Sequence, residues 1–281
     1  MEKAWVMPFS DTVTVVESFV SEERRWQVID ALNRLKIRVF VTTLNNPKFL
    51  RKTLNSIKKE SGPIKYALSI VADIPTPETL QVLDEFGVAP ENRVINDQKV
   101  GWVKAVNQGI QHEKADIYVY TADDTVVTTN WLEKLCTPLL LTDYIGFISP
   151  LTNASGQGIQ QLINCPNDRY QTIQRMGQWV STYHRPLVLC YDPMFGMSFA
   201  IPQRTFDKIG YFDEQFYIAH AEIDFQMRVK QVNMSVGLRM DCFVYHYGKV
   251  TANVNPILRE KWNRDTDHFN QKWGGQIMRY K

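Results

Sequence analysis

Two adjacent aspartates, Asp123 and Asp124, directly follow an apolar stretch, YVYTA, that has the composition of a buried strand. Neighbouring carboxylates repel each other, so both stay ionised there only where water, a cation or strong hydrogen-bond donors face them. A hard divalent cation that keeps several waters and also holds a substrate diphosphate suits such a pair. Mg²⁺ or Mn²⁺ fits better than Zn²⁺, because no cluster of His and Cys ligands is visible. The alternative is that the pair caps a helix beginning near Thr128 or Thr129.

Strands and helices alternate along the first half of the chain. Segments with strand composition occur at 37–43, 65–73, 92–97 and 115–121, and segments with helical spacing of apolar residues follow them. Because the strands are apolar on both faces, we predict an α/β fold with a Rossmann-like, mostly parallel central sheet and helices on both faces. In such sheets, ligands bind outside the carboxyl ends of the strands.

Polar side chains stand where three of these predicted strands end. Thr42 and Thr43 close the first strand, Asp73 closes the second, and the aspartate pair follows the fourth. The carboxyl ends of parallel strands meet at one edge of a sheet. We therefore expect these groups to converge on one ligand site.

Three segments depart from the alternating pattern. Residues 1–36 are predicted to be an N-terminal appendage with one helix, capped by Ser21 and burying Trp26. Residues 151–168 are rich in Asn, Gln and Gly, which indicates a long, ligand-facing surface loop. Residues 251–281 are predicted to form a C-terminal helical tail. Its Trp residues among Lys and Arg can contact an acceptor, a membrane surface or a partner, but a packed amphipathic tail is the commoner outcome.

Composition excludes several classes of protein. The 32 basic residues are interspersed with 30 acidic ones, so we expect no nucleic-acid partner. No apolar run approaches the ~18 residues of a membrane span, and the first residues lack a secretory pattern. The 4 Cys residues form no CxxC pair and are predicted to be reduced. We expect a cytoplasmic protein, and contact with a membrane surface stays open.

Five stretches together carry a resemblance to a known family. They are VFVTTLNNPKFLRKTLNSI (39–57), VGWVKAVNQGI (100–110), YTADDT (120–125), GMSFAIPQRTFDKIGYFDEQF (196–216) and AEIDFQMR (221–228). Their order and spacing resemble glycosyltransferase family two, the inverting nucleotide-diphospho-sugar transferases with the GT-A fold. The resemblance covers about residues 37–250.

This resemblance implies an architecture and a reaction. Residues 37–250 would form a single GT-A domain, with a nucleotide-sugar-binding part at 37–150 and an acceptor-binding part at 151–250. The implied reaction moves a sugar from a UDP, dTDP or GDP donor to a hydroxyl of a glycan, glycolipid or similar acceptor, as in polysaccharide biosynthesis. The implied cofactor is Mn²⁺ or Mg²⁺.

The resemblance also implies which residues bind the donor and the metal. Thr42, Asp73, Lys99 and Asp123 would bind the nucleotide sugar, although Lys99 stands where the family usually has Asn. Asp124 would ligate the metal, with Asp123 on the ribose or a water ligand, and these two assignments can be exchanged. Other positions are implied as well: His246 near the metal, and Arg228 and Lys249 near the diphosphate.

The stretch AEIDFQMR corresponds to the family's catalytic segment. Counting back from Arg228 places Glu222 at the position of the catalytic base and Asp224 at the second acidic position, as a supporting or acceptor-binding group. A carboxylate can take the proton of an attacking hydroxyl. Both residues also suit the first turn of a helix, where negative charge is favourable.

Two other functions stay open. A sugar-1-phosphate nucleotidyltransferase has a related architecture, but TTLNNPKFLRK is not the Gly-rich phosphate loop that such an enzyme needs. A catalytically silent binding or assembly module is the other alternative. Intact carboxylates at Asp123, Asp124 and Glu222 favour the transferase.

Overall fold

The computed structural model describes residues 22–154, 160–161, 164–184, 188–189, 193–248 and 256–275. The described strands are β1 (Ile37–Thr43), β2 (Ala67–Asp73), β3 (Arg93–Asn96), β4 (Ile117–Ala122), β5 (Thr125–Val127), β6 (Ile145–Leu151), β7 (Val188–Leu189), β8 (Ser198–Pro202) and β9 (Ser235–His246). The described helices are α1 (Glu22–Leu32), α2 (Pro47–Glu60), α3 (Pro77–Glu85), α4 (Trp102–Gln111), α5 (Trp131–Leu141), α6 (Tyr170–Tyr183), α7 (Gln203–Ile209), α8 (Ala221–Gln231) and α9 (Pro256–Trp273).

The described strands form one nine-stranded sheet in the order β3-β2-β1-β4-β8-β6-β9-β5, with β7 paired to β9. Strands β1 to β4 are mutually parallel, and β6 and β9 run in the same direction as they do. Strands β5, β7 and β8 run in the opposite direction. The predicted α/β fold with a mostly parallel sheet is confirmed. The antiparallel strands lie beyond β4, where the regular alternation in the sequence also ends.

Apolar layers cover both faces of the sheet. Successive strand residues point to opposite faces, so Phe40 of β1 packs with α4, α7 and α8 on one side. Its neighbours Val39 and Val41 pack with α1, α2, α3 and α5 on the other side. The first face has an aromatic centre in which the rings of Phe40 and Tyr120 are 5.3 Å apart and those of Tyr120 and Phe199 are 4.9 Å apart. This double covering explains why the strands read as continuous apolar runs.

Helix α1 is the helix predicted within the first 36 residues. Arg25 forms two hydrogen bonds of 2.7 Å to Glu133 of α5, and Val28 and Ile29 are buried against the same layer. The prediction that Trp26 is buried is wrong, because 54% of its surface is exposed. The helix is rotated so that Val28 takes the inward position.

The aspartate pair occupies a tight turn between β4 and β5. Helix α5 begins only at Trp131, after Asn130, whose side chain makes no capping hydrogen bond. The alternative in which Asp123 and Asp124 cap this helix is therefore wrong. The short strand β5, which pairs with β9, separates the turn from the helix.

Helix α6 was not predicted from the sequence. It contains Gly177, and a glycine within a helical segment usually lowers the helix signal. A Cβ at Gly177 would lie 2.5 Å from Thr128, so the glycine allows α6 to pack closely on the end of β5. The formation of α6 thus depends on tertiary packing and not on a local sequence signal.

Two expectations about the whole chain concern membranes and cysteines. Within the described ranges, no helix combines the length and the apolar character needed to cross a membrane. Cys136, Cys165 and Cys242 are free thiols, as predicted. Cys190 lies outside the described residues.

We expect Gly109→Ala to destabilise the fold. A Cβ at Gly109 would lie 2.3 Å from the Phe40 ring, which is buried between α4 and β1. Because the clash is this close, overpacking should cost about 2–3 kcal/mol, and the better helix propensity of alanine offsets about 1 kcal/mol of it. Urea unfolding should show a net loss of about 1–2 kcal/mol. Gln111→Ala, at an exposed position of the same helix, is the control, and equal stability of both variants would contradict this packing.

Candidate active site

The strand ends bring the predicted polar groups to one edge of the sheet. In the parallel register, Thr42 of β1 lies opposite Ala122 of β4, the residue before Asp123. Thr43 Oγ1 donates a hydrogen bond of 2.5 Å to Asp123 Oδ2. Asp73 ends β2, the other neighbour of β1. The predicted convergence of β1, β2 and β4 is therefore present.

Asp73 is a buried carboxylate held by two donors. Its Oδ1 accepts from Asn96 Nδ2, and its Oδ2 accepts from the backbone N–H of Val100, both at 2.9 Å. Asn96 is itself fixed by reciprocal hydrogen bonds with Gln108. Each carboxylate oxygen can accept a further hydrogen bond, so Asp73 retains capacity for a ligand. Lys99 precedes Val100 in the loop before α4, and its side chain is exposed.

A hydroxyl and an indole extend this edge toward α4. Tyr120 Oη accepts a hydrogen bond from Trp102 Nε1 at 2.8 Å and lies 3.0 Å from Thr42 Oγ1. The buried phenol can give its own proton to Thr42, and the Thr42 hydroxyl can then donate to a ligand. Trp102 thus couples the first residue of α4 to the end of β1.

Asp124 and His246 form a pair that suits a divalent cation. His246 Nε2 lies 3.3 Å from Asp124 Oδ1, near the roughly 3.0 Å between adjacent ligands of an octahedral ion with bonds of about 2.1 Å. His246 Nδ1 lies 2.8 Å from the carbonyl oxygen of Ala154. A proton on Nδ1 leaves the lone pair of Nε2 available to a metal. The donor set fits an ion that takes its other ligands from water and phosphate.

Burial and neighbouring charges shift the pKa values of Asp123 and His246. Burial, with a contribution from the charge of Asp124, raises the pKa of Asp123 to about 7. Burial disfavours a charged His246, but the hydrogen bond and the charge of Asp124 outweigh it and raise the pKa of His246. No group of three or more His, Cys, Asp or Glu side chains able to hold a metal occurs among the residues that the structure describes. The described residues therefore supply only part of a coordination sphere.

Glu222 is a buried carboxylate in the first turn of α8, with 6% of its surface exposed. It accepts hydrogen bonds from its own backbone N–H and from that of Gly196. Its Oε2 has no hydrogen-bond partner among the described residues. Burial raises the pKa of Glu222 to about 7. A carboxylate in this state is suited to accept a proton near neutral pH.

Gly196 connects Glu222 to the strand ends. A Cβ at this position would lie 2.9 Å from the Trp102 ring and 3.3 Å from Glu222 Cβ. The backbone before β8 can therefore pass between the indole and the carboxylate only with glycine. Trp102 in turn holds Tyr120 and, through it, Thr42. Glu222 thus lies next to the residues that contact one another at the end of β1, namely Trp102, Tyr120 and Thr42.

Asp224 and Arg228 belong to a different environment. Asp224 is fully buried, and its oxygens accept from Arg228 Nε at 2.9 Å, Trp273 Nε1 at 3.0 Å and Lys272 Nζ at 2.8 Å. Arg228 also donates to two backbone carbonyls at the end of α7. Most of the hydrogen-bonding capacity of Asp224 and Arg228 is engaged within the fold, and the roles of Asp224 in catalysis and of Arg228 at the diphosphate stay predictions. Lys249 lies outside the described residues.

The residues that connect the predicted site residues were not themselves predicted from the sequence. Tyr120 and Trp102 read as core residues, and only the folded chain brings their polar atoms together. Tyr217 was also missed: its ring lies against Gly101, where a Cβ would approach it to 2.6 Å, and its carbonyl accepts from Val103 N at 3.3 Å. Among these residues, only the glycine at position 101 could have indicated a special backbone conformation. In the structure its φ is 91°, which favours glycine.

We expect Glu222→Gln to stabilise the protein at alkaline pH. The folded-state pKa of Glu222, about 7, lies above its ordinary value of 4.5, so the stability of the wild type is fully present below about pH 4.5 and falls as the pH rises through 7. Glutamine carries no charge and escapes this loss. Urea unfolding should show the variant more stable by about 1 kcal/mol at pH 5 and about 3 kcal/mol at pH 8.

Asp224→Asn is the matched control on the same helix. It weakens a buried network of charged hydrogen bonds and should lower the free energy of unfolding by about 3 kcal/mol. A Glu222→Gln variant that is less stable than the wild type at pH 8 would contradict the environment described for this carboxylate.

Comparisons with known proteins identify the fold and the family. No curated protein sequence matches the chain significantly. Among solved structures, GalNAc-T7 with UDP, GalNAc and Mn²⁺ is 18% identical, with a TM-score of 0.59 over 75% of this chain and 44% of its own. The mannosyltransferase PcManGT from Pyrobaculum calidifontis, with GDP-Man and Mn²⁺, is 13% identical, with a TM-score of 0.59 over 90% of this chain and 71% of its own. Glucosyl-3-phosphoglycerate synthase from Mycobacterium tuberculosis, with Mg²⁺ and UDP, is 15% identical, with a TM-score of 0.58 over 90% of this chain and 84% of its own.

At these identities the three structures establish the fold, and the chain spans less than half the length of the GalNAc-T7 chain. The family described as glycosyl transferase family 2 matches residues 38–185, which is more than half of the 281 residues. The matched region contains the strand ends with Thr42, Asp73 and the aspartate pair, whereas Glu222 and His246 follow it. The chain therefore belongs to glycosyltransferase family 2 and is a glycosyltransferase with the α/β GT-A fold.

Proposed function

We propose that the enzyme transfers one sugar from a nucleoside-diphosphate donor to an acceptor hydroxyl, with inversion at the anomeric carbon and with a divalent cation. The observation that carries this proposal is the buried Glu222, whose Oε2 has no partner in the described part of the chain. Gly196 and Trp102 place it next to the layer behind the strand ends. A carboxylate ready to take a proton beside a donor site is what single displacement by a hydroxyl requires.

The donor nucleotide is proposed to bind at the ends of β1 and β2. Asp73 can accept from a base N–H or a ribose hydroxyl, and Thr42 can donate its hydroxyl proton. Lys99, exposed in the adjacent loop, supplies positive charge near the phosphates. The structural neighbours were solved with UDP or GDP-Man, so we propose a UDP, dTDP or GDP sugar as the donor.

Asp124 and His246 are proposed to hold Mn²⁺ or Mg²⁺, with Asp123 contacting the ribose or a water ligand. When bound, such an ion neutralises charge on the departing nucleoside diphosphate. Asp124 Oδ1 and His246 Nε2 are close enough to share one ion. The neighbours solved with Mn²⁺ or Mg²⁺ support this assignment.

Glu222 is proposed to act as the general base. It takes the proton of the acceptor hydroxyl while the hydroxyl oxygen attacks the anomeric carbon from the face opposite the diphosphate. The new glycosidic bond forms as the bond to the diphosphate breaks, which inverts the configuration. Two backbone N–H groups hold the carboxylate, so Oε2 remains for the hydroxyl. A glycan or glycolipid provides an acceptor of this class.

Glu222→Gln should abolish transfer without preventing donor binding. Glutamine keeps the size of the side chain but cannot accept the proton, so kcat should fall by about a hundredfold or more. Steady-state transfer assays measure this loss, and thermal shift with donor and Mn²⁺ verifies binding. Glu91→Gln, at an exposed position, is the control. Full activity of Glu222→Gln would remove this residue from the role of base.

Donor binding should depend on the metal pair. In a thermal-shift panel of UDP, dTDP, GDP and their sugars, one nucleotide should stabilise the wild type by about 2.7 kcal/mol at a hundredfold excess over its Kd, only with Mn²⁺. Asp124→Asn and His246→Ala should lose this stabilisation because each removes one ligand of the ion. His112→Ala, at the end of α4, is the control. If no nucleotide stabilises the protein, the catalytically silent module becomes the better explanation.

A further inference from the structure

One buried side chain of the C-terminal helix α9, Asp265, forms hydrogen bonds to the segment before α8. Its Oδ2 accepts hydrogen bonds from the backbone N–H groups of Tyr217, Ile218 and Ala219, at 2.9, 2.8 and 2.9 Å. The Oδ1 atom pairs with Arg264 at 3.1 Å. Consecutive N–H groups that converge on one anionic oxygen form a strong and specific contact. Asp265 therefore fixes the backbone of 217–219 in one conformation.

The next residue of each segment, His220 before α8 and Thr266 in α9, extends this contact. His220 has a left-handed φ of 63°, and its Nε2 lies 2.9 Å from Thr266 Oγ1. Thr266 gives its own proton to the carbonyl of Trp262, so His220 donates from Nε2. Burial lowers the pKa of His220, which keeps the ring neutral. Helix α9 thus holds four consecutive residues immediately before α8.

This four-residue turn, 217–220, touches both sides of the candidate active site. At its start, the Tyr217 ring lies against Gly101, and its carbonyl accepts from Val103 N of α4. Burial together with the charge of Asp73 raises the pKa of Tyr217, which is thus near the donor side. At its end, Glu222 follows His220 by two residues. A shift of the turn would displace the base relative to the donor.

We propose that Asp265 is a positioning residue for the transfer reaction, setting the place of Glu222 relative to the donor side through the backbone of the 217–220 turn. This inference rests on the proposed role of Glu222 as base. The C-terminal end of α9 carries Lys272 and Trp273, whose hydrogen bonds to Asp224 hold the first turn of α8. Asp224 thereby gains a function as part of the anchor rather than as a contact to the acceptor.

Asp265→Asn tests the proposal, with Glu260→Gln at an exposed position of the same helix as the control. Asparagine keeps the shape but loses the charge that holds the three N–H groups. We expect kcat to fall at least about tenfold while the donor KM changes less than about threefold. The pKa of the rising limb of kcat/KM should also decrease, because water reaches Glu222 and the charge of Asp265, which raises the pKa of Glu222, is removed. Since the loss of this charge lowers that pKa by itself, the deciding quantity is kcat per folded molecule. A purely structural role would reduce the folded fraction and leave that kcat unchanged.

Thr266→Val provides a second variant if Asp265→Asn does not fold. It removes the acceptor of His220 with little change in volume, and kcat should fall by about threefold or more. Wild-type kcat per folded molecule in these variants, alongside an inactive Glu222→Gln, would overturn the positioning role and leave the proposed function intact. An active Glu222→Gln would overturn both.

Discussion

Several carboxylates around the candidate site are buried. The surrounding structure gives most of them hydrogen-bond donors for both oxygens and leaves one oxygen of Glu222 without a donor among the described residues. An ionised group removed from water needs donors or a counter-charge. Asp73 and Asp265 receive backbone and side-chain N–H groups. Glu222 receives two such bonds but keeps one oxygen without a partner in the described residues. The difference in donors separates the carboxylates with both oxygens paired from the candidate base.

The aromatic layer under this edge gives the site its rigidity. Phe40, Tyr120 and Phe199 are packed ring against ring on the face covered by α4 and α8. Tyr120 belongs to this core and also holds Thr42 and Trp102 by its hydroxyl. Because the same side chain packs and hydrogen-bonds, the donor side cannot move without disturbing the core. Sites built on such elements keep their geometry better than sites on loops.

Contacts between distant parts of the chain complete the site. The match to the family ends at residue 185, yet His246 meets Asp124 from β9, and α9 holds the turn before α8. The C-terminal helix therefore contacts the helix that carries Glu222. Its bonds reach Asp224 in the first turn of α8 and the 217–220 turn directly before it. Such fixation suits a helix that carries a buried carboxylate with one oxygen unpaired among the described residues.

Local periodicity and composition by themselves determined the α/β fold, the positions of Thr42, Asp73 and the aspartate pair at strand ends, and Glu222 in the first turn of a helix. Strand period, helix period and terminal signals are properties of short segments, so they can be read without the fold. The inward face of α1, the turn at Asp123 and Asp124, and helix α6 with its Gly177 could not be read in this way. Trp273, which donates to Asp224, and the backbone of 217–219, which donates to Asp265, lie 46 to 49 residues away from these carboxylates along the chain. Only the tertiary structure decided which carboxylate is paired and which remains available, because hydrogen-bond donors for a buried charge come from whichever segments fold against it.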